Sequence, residues 1–161
     1  MALDAAQFIE HLGLMMEAER LPRIAGRLLG ALILTPDRES LDDLAARLAV
    51  SKPSISVNAR LLEQKGLIER VTIPGDRRDF YRVAPDLFRA AIEQRLARWR
   101  AFHEAMRAAR VGEASDDAVV RARIVALEAG WGHAIAAVTS ALDDRDRHDR
   151  RAFDNASADL R

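Results

Sequence analysis

Between Ser40 and Val83 the order of elements is unusually restrictive: SLDDLAARL, a three-residue break at AVS, KPSISVNARLLEQKG, then two alternating runs joined by PGDRRD. The first segment has Ser40 as N-cap, acids at 42 and 43 in the first turn, and Leu41, Leu44, Ala45 and Leu48 on one face. Ser51 caps the second, where Pro53 comes early enough to leave the hydrogen-bond ladder intact. Its buried stripe is Ile55, Ala59 and Leu62, and Gly66 ends it in the left-handed position that only glycine occupies freely. Two short helices on a tight turn, followed by LIERVTI and FYRV as a hairpin, predict a winged helix-turn-helix.

The flanks are helical. Asp4 and Gln7 have capping-box spacing at the head of a helix over residues 4–19. Pro22 opens a second through RIAGRLLGALIL, on which Gly26 and Gly30 lie one turn apart and mark close approach of another helix. TPDRES reads as a loop. After Asp86 a helix carries Phe88, Ile92, Trp99, Phe102 and Met106 along one side. Ser115 is placed to cap a longer one, with a heptad-like seam at Val120, Ile124, Leu127, Trp131, Ala134 and Val138. The fold class is thus mainly α, a winged helix-turn-helix with a short β-hairpin wing plus long flanking helices that form a dimerisation bundle. Three regions follow: 1–85 with the N-terminal helices and winged helix, 86–142 as a helical dimerisation and effector region, and a polar, disordered tail at 143–161.

Charge narrows the function. The chain is neutral as a whole, yet residues 47–83 hold eight Lys/Arg against four acids, whereas residues 112–161 hold seven Arg against ten acids. An anion-binding face therefore belongs in the middle. With about 100° of rotation per residue, the face opposite the buried stripe carries Pro53, Ser56, Val57, Arg60 and Gln64. Arg60 can read guanine, Ser54 and Ser56 can reach bases or phosphate, and Val57 can touch a thymine methyl. Asn58, nearer the core, can read adenine or bond the backbone. Ser51 and Lys52 stand where a phosphate would dock on free N–H groups. At the hairpin tip, Arg77 or Arg78 is the cation for the adjacent minor groove, held extended by Asp76.

Other classes find little support. Four scattered histidines (11, 103, 133, 148) lack metal-ligand spacing, and no nucleophile elbow, dinucleotide fingerprint or P-loop is present, so neither an enzyme, a metal site nor a cofactor is expected. The adjacent acid pairs fall at helix ends, where the dipole explains them. Absence of cysteine removes disulfides and thiol chemistry. No uncharged apolar run reaches eighteen residues and the start lacks a signal peptide, so a cytoplasmic protein without a membrane span is expected. A rival from another class is a winged helix serving only protein–protein contacts, for which Val57 and Leu61 offer a foothold.

The stretches LPRIAGRLLGALIL, SLDDLAARLAVSKPSISVNARLLEQKGLIERV and PGDRRDFYRVA resemble the GbsR branch of the MarR-type transcriptional regulators, over about Gly13 to Leu87. That resemblance implies a homodimeric regulator of double-stranded DNA, with Arg78 as wing arginine and Asp76 its partner in a D-x-R motif. It also implies dimerisation through helices at both chain ends and, in many members, a small-molecule effector. The apolar stripe of 88–106, the seam of 120–142 and Phe8, Leu12 and Met15 are the expected dimer interface. For the effector, EAGWGHAI is the candidate region: Trp99 and Trp131 could box a quaternary ammonium, with His133 nearby. Close helix packing would explain Gly130 and Gly132 equally well.

Overall fold

A short polar side chain opens each helix of the N-terminal half but one. In this computed structural model, which describes residues 2–112 and 114–158, α1 (Ala5–Ala18) begins with a complete capping box: Asp4 Oδ1 accepts from Gln7 N at 2.8 Å and Asp4 N donates to Gln7 Oε1 at 3.1 Å. The exception is α2 (Arg23–Ile33), where Pro22 occupies the cap without a side-chain bond. The expected close approach occurs here, since a β-carbon on Gly26 would lie 2.8 Å from Gly13 Cα and one on Gly30 3.1 Å from Ile9 Cα. Arg23 and Arg27 close the pair from outside on Glu10, at 2.9 and 2.6 Å.

β1 (Glu39–Ser40) leads directly into α3 (Leu41–Leu48), whose N-cap Ser40 accepts from Asp43 N at 3.2 Å. Ala49 adopts a left-handed conformation (φ 53°) and turns the chain into α4 (Lys52–Gln64), capped by Ser51. Gly66 follows at φ 67°. β2 (Ile68–Val71) and β3 (Phe80–Val83) form the hairpin. The sheet is antiparallel in the order β1-β3-β2, with Ser40 opposite Phe80 and Ile68 opposite Val83. The extra strand falls where a loop was expected, because two residues are too few to show any periodicity. It fixes the base of the wing, as Leu41 N also donates to Asp79 O at 2.9 Å.

The chain divides into two compact units, Met1–Ala91 and Ile92–Arg161, so the boundary lies within α5 (Leu87–Val111) rather than ahead of it. In the first unit Leu28, Leu32, Leu44, Ile55, Leu62 and Ile68 are buried together. Each such side chain contributes about 1.5–3 kcal/mol. Leu12 is half-buried beside Gly30, whereas Met15 is exposed.

The second unit holds the rest of α5 and α6 (Ala118–Ala158). Asp117, rather than Ser115, supplies the cap of α6: its carboxylate accepts from Val119 N and Val120 N at 2.8 and 3.1 Å, and Ser115 Oγ accepts from Asp117 N. Part of the expected seam is engaged within the chain, where the Trp131 ring tilts against Trp99 (5.6 Å) and Phe102 (5.3 Å). α6 also continues into the 143–161 stretch expected to be disordered. That stretch contains no Gly or Pro, and Asp144 pairs with Arg147 one turn on. Residues 159–161 lie outside the described residues. Within Ala118–Arg147 a window of 18 residues reaches a mean hydropathy of 1.2, enough by length and composition alone to cross a membrane. The expectation of no span rested on an unbroken uncharged run and so passed over a helix whose apolar residues are interrupted by few charges.

Candidate nucleic-acid interface

α4 presents two faces because its periodicity divides it. Ile55, Ala59 and Leu62 are fully buried, and their burial turns Lys52, Pro53, Val57, Arg60 and Gln64 to solvent. Ser54 and Ser56 are half-buried on the flanks. Val57 is 64% exposed, a large apolar side chain left uncovered in the middle of this face. Arg60 reaches back one turn, its Nη2 donating to Ser56 Oγ at 3.1 Å. Ser51 spends its hydroxyl on the cap, accepting from Ser54 N at 3.4 Å. Lys52 Nζ lies 2.8 Å from Asp42 Oδ1 of α3.

Asn58 does not belong to the reading surface. It is 6% exposed, and its amide Nδ2 donates to Ser54 O at 2.8 Å. Its position borders the buried stripe, and the one-turn-back carbonyl is a nearer partner than anything outside the helix.

The wing separates its two arginines. Arg78 is clamped: its backbone N donates to Asp76 Oδ1 at 2.9 Å, and its Nε and Nη2 donate to the same carboxylate at 3.1 and 2.7 Å. Its guanidinium lies over the Phe80 ring, 5.0 Å from the centroid, with Asp43 Oδ2 of α3 at 4.0 Å. Asp76 therefore orients Arg78 as expected, but folds it back toward the body of the unit instead of holding it extended. The Arg78 side chain and backbone N–H together keep the Asp76 carboxyl below the usual carboxylate range. Arg77 is exposed, and among the described residues no carboxylate pairs with it. Gly75, at φ 84°, makes the turn that places these residues at the tip. Arg70 pairs with Asp79, and Arg82 with Glu69, along the strands below.

The candidate effector residues lie in the second unit and do not form the box expected of them. Trp99 and Trp131 pack on one another, leaving no slot between the rings. His133 instead lines an open cleft of ≈ 420 Å³ with His103, Arg110, Glu128 and Gly132. There Arg110 Nε donates to Glu128 Oε2 at 2.5 Å and, with nearby His103 and Arg107, lowers the Glu128 pKa. Gly132 has a packing reason, since a β-carbon would meet His103 Nε2 at 3.3 Å, whereas Gly130 faces open space.

A helix-turn-helix with a basic, solvent-facing second helix and a charged hairpin tip defines a winged-helix regulator. Comparison with known proteins agrees. Residues 21–79 match the MarR family. A stretch of 94 residues is 45% identical to the HTH-type transcriptional regulator MmpR5 of Mycobacterium tuberculosis, covering 58% of this chain and 57% of that protein. A crystal structure of a transcriptional regulator superposes with a TM-score of 0.72 at 32% identity, covering 90% of this chain and 99% of that one. The chain belongs to the MarR family, a family of transcriptional regulators and not of enzymes.

Proposed function

We propose that this protein is a sequence-specific repressor that binds a palindromic operator in double-stranded DNA as a homodimer, in the cytoplasm. The observation that carries the reading is the outward face of α4, with Lys52, Val57 and Arg60 exposed beside a wing whose tip cation, Arg77, has no carboxylate partner among the described residues. With α4 in the major groove, Arg60 reads a base edge, Ser54, Ser56 and Val57 lie against the groove wall, and Ser51 and Lys52 meet phosphate. The hairpin then reaches the neighbouring minor groove with Arg77, and with Arg78 once it leaves Asp76. A palindrome suits two copies whose α4 helices are about one helical turn of DNA apart. Exposed Val119, Val125 and Leu127 leave apolar side chains on α6 for a second copy to cover.

The branch within the family is GbsR-like on the same sequence stretches that first suggested it, and a small-molecule effector follows from that assignment. Trp99 and Trp131 are the chain's only tryptophans. A choline or betaine titration followed by intrinsic fluorescence therefore reports on this pair directly.

Electrophoretic mobility shifts on the upstream region of the protein's own operon, at two salt concentrations, test the main reading. Arg77→Ala should weaken binding alike on all sequences. Arg60→Ala should cost about 1–3 kcal/mol on the operator and relax base preference. No shift at either salt concentration would instead favour the protein–protein module that Val57 suggests.

A further inference from the structure

The cations of the proposed interface fall into two groups. Arg60 and Arg77 have no carboxylate partner among the described residues, whereas Lys52 and Arg78 both meet the first turn of α3: Lys52 at Asp42 (2.8 Å) and Arg78 at Asp43 (4.0 Å). These acids are not there to complete the core, for both are exposed. Nor are both needed at the helix start, where Ser40 already caps the turn and only Asp43 accepts its hydroxyl, at 2.6 Å. Asp42 has no such bond, and the salt bridge to Lys52 joins the start of α3 to the start of α4 across the turn.

We propose that Asp42 is an internal counter-charge, which occupies Lys52 in the free protein and gives it up to phosphate when DNA binds. The inference rests on the DNA-binding reading above. The Asp42 carboxylate stands in for a phosphate oxygen: it is anionic, accepts from the Lys52 ammonium at 2.8 Å, and holds the side chain in place, as Asp76 does for Arg78. DNA must therefore break an ion pair at each of these positions before it gains a contact, which it need not do at Arg60 or Arg77. Breaking an ion pair becomes easier as salt rises, while a phosphate contact becomes weaker. The two partly cancel, so the paired cations contribute less to the salt dependence of binding than their number implies. The device keeps affinity for random sequence low while leaving the base-reading Arg60 fully available, and so raises the ratio of specific to non-specific binding.

The test is a double-mutant cycle on the full-length chain with a fluorescent duplex of random sequence, read by anisotropy across a salt series. Asp42→Asn keeps the side-chain shape and should tighten binding at low salt by roughly two- to fivefold, the range a surface ion pair spans. It should also steepen the log–log salt slope by up to about 0.9, one phosphate contact. In a Lys52→Ala background the same change should do neither. Circular dichroism confirms that each variant is folded. Equal tightening with and without Lys52 would overturn the proposal, because the carboxylate would then merely repel DNA from a distance. No tightening in Asp42→Asn, when Lys52→Ala does weaken binding, would overturn it too. If Lys52→Ala has no effect at any salt, Lys52 does not meet DNA, and the failure lies in the interface assignment on which the proposal rests.

Discussion

Met1–Ala91 and Ile92–Arg161 dispose of their apolar residues in opposite ways. In the first, Leu28, Leu44, Ile55 and Leu62 are fully buried between α1–α4 and the sheet, and the exposed apolar side chains, Leu14, Met15, Ile33, Leu34 and Val57 among them, lie around a closed core. In the second, Leu96 and Leu142 are the buried side chains among the described residues, while Val111, Val119, Val125 and Leu127 stay exposed on two long helices. A helix draws most of its stability from packing an apolar face. The first unit closes its own core, which frees its surface for recognition. The second leaves surface that a second copy of the chain would cover.

The largest effect expected separates the two units by stability. Leu28→Ala should cost about 2–5 kcal/mol, as a cavity in a closed core does. Val125→Ala, half-exposed, should stay within about 0.5 kcal/mol at concentrations too low for association. Urea denaturation measures both, and equal costs would erase the contrast. Glycines give the next effect. Gly26→Ala should destabilise by about 1–3 kcal/mol, because the added carbon meets Gly13 across α1. Gly130→Ala enters open space and should stabilise α6 by up to about 1 kcal/mol. A loss there, appearing only at high protein concentration, would place Gly130 inside the contact between copies.

The smallest effect concerns pH at the wing. The folded-state pKa of Asp76 lies below its ordinary value of about 3.9. Its clamp on Arg78 is thus fully present above that range and is lost only as the pH falls through the lower, folded value. An NMR titration should show the Arg78 Nε–H signal shifting below the ordinary carboxylate range. A transition at or above it would mean that Asp76 does not hold the guanidinium.

What the sequence disclosed was local chemistry. Asp4 with Gln7, Ser40, Ser51, Gly66 and the Ile55–Ala59–Leu62 stripe each state their structure within a few residues, and the helix-turn-helix and hairpin follow from them. What it concealed depended on partners distant in the chain. Arg78, clamped by Asp76, comes to face Asp43, thirty-five positions earlier. Trp99 and Trp131 have the composition of a cation box, but their helices bring the rings into contact. Asn58 lay on the border between two faces, where rotation per residue does not decide. Of the two partners open to it, its amide takes the backbone, at the Ser54 carbonyl one turn back.

The central claim, that the first unit recognises DNA through α4 and the wing tip while the second associates with a copy of itself, is tested most directly by hydrogen–deuterium exchange of the full chain. Spectra are taken at low and high protein concentration, each with and without duplex DNA. Added duplex should slow exchange at residues 51–60 and 74–79, and raised concentration should slow it along α6. If DNA leaves residues 51–60 and 74–79 unchanged, or protects α6 alone, the account is contradicted.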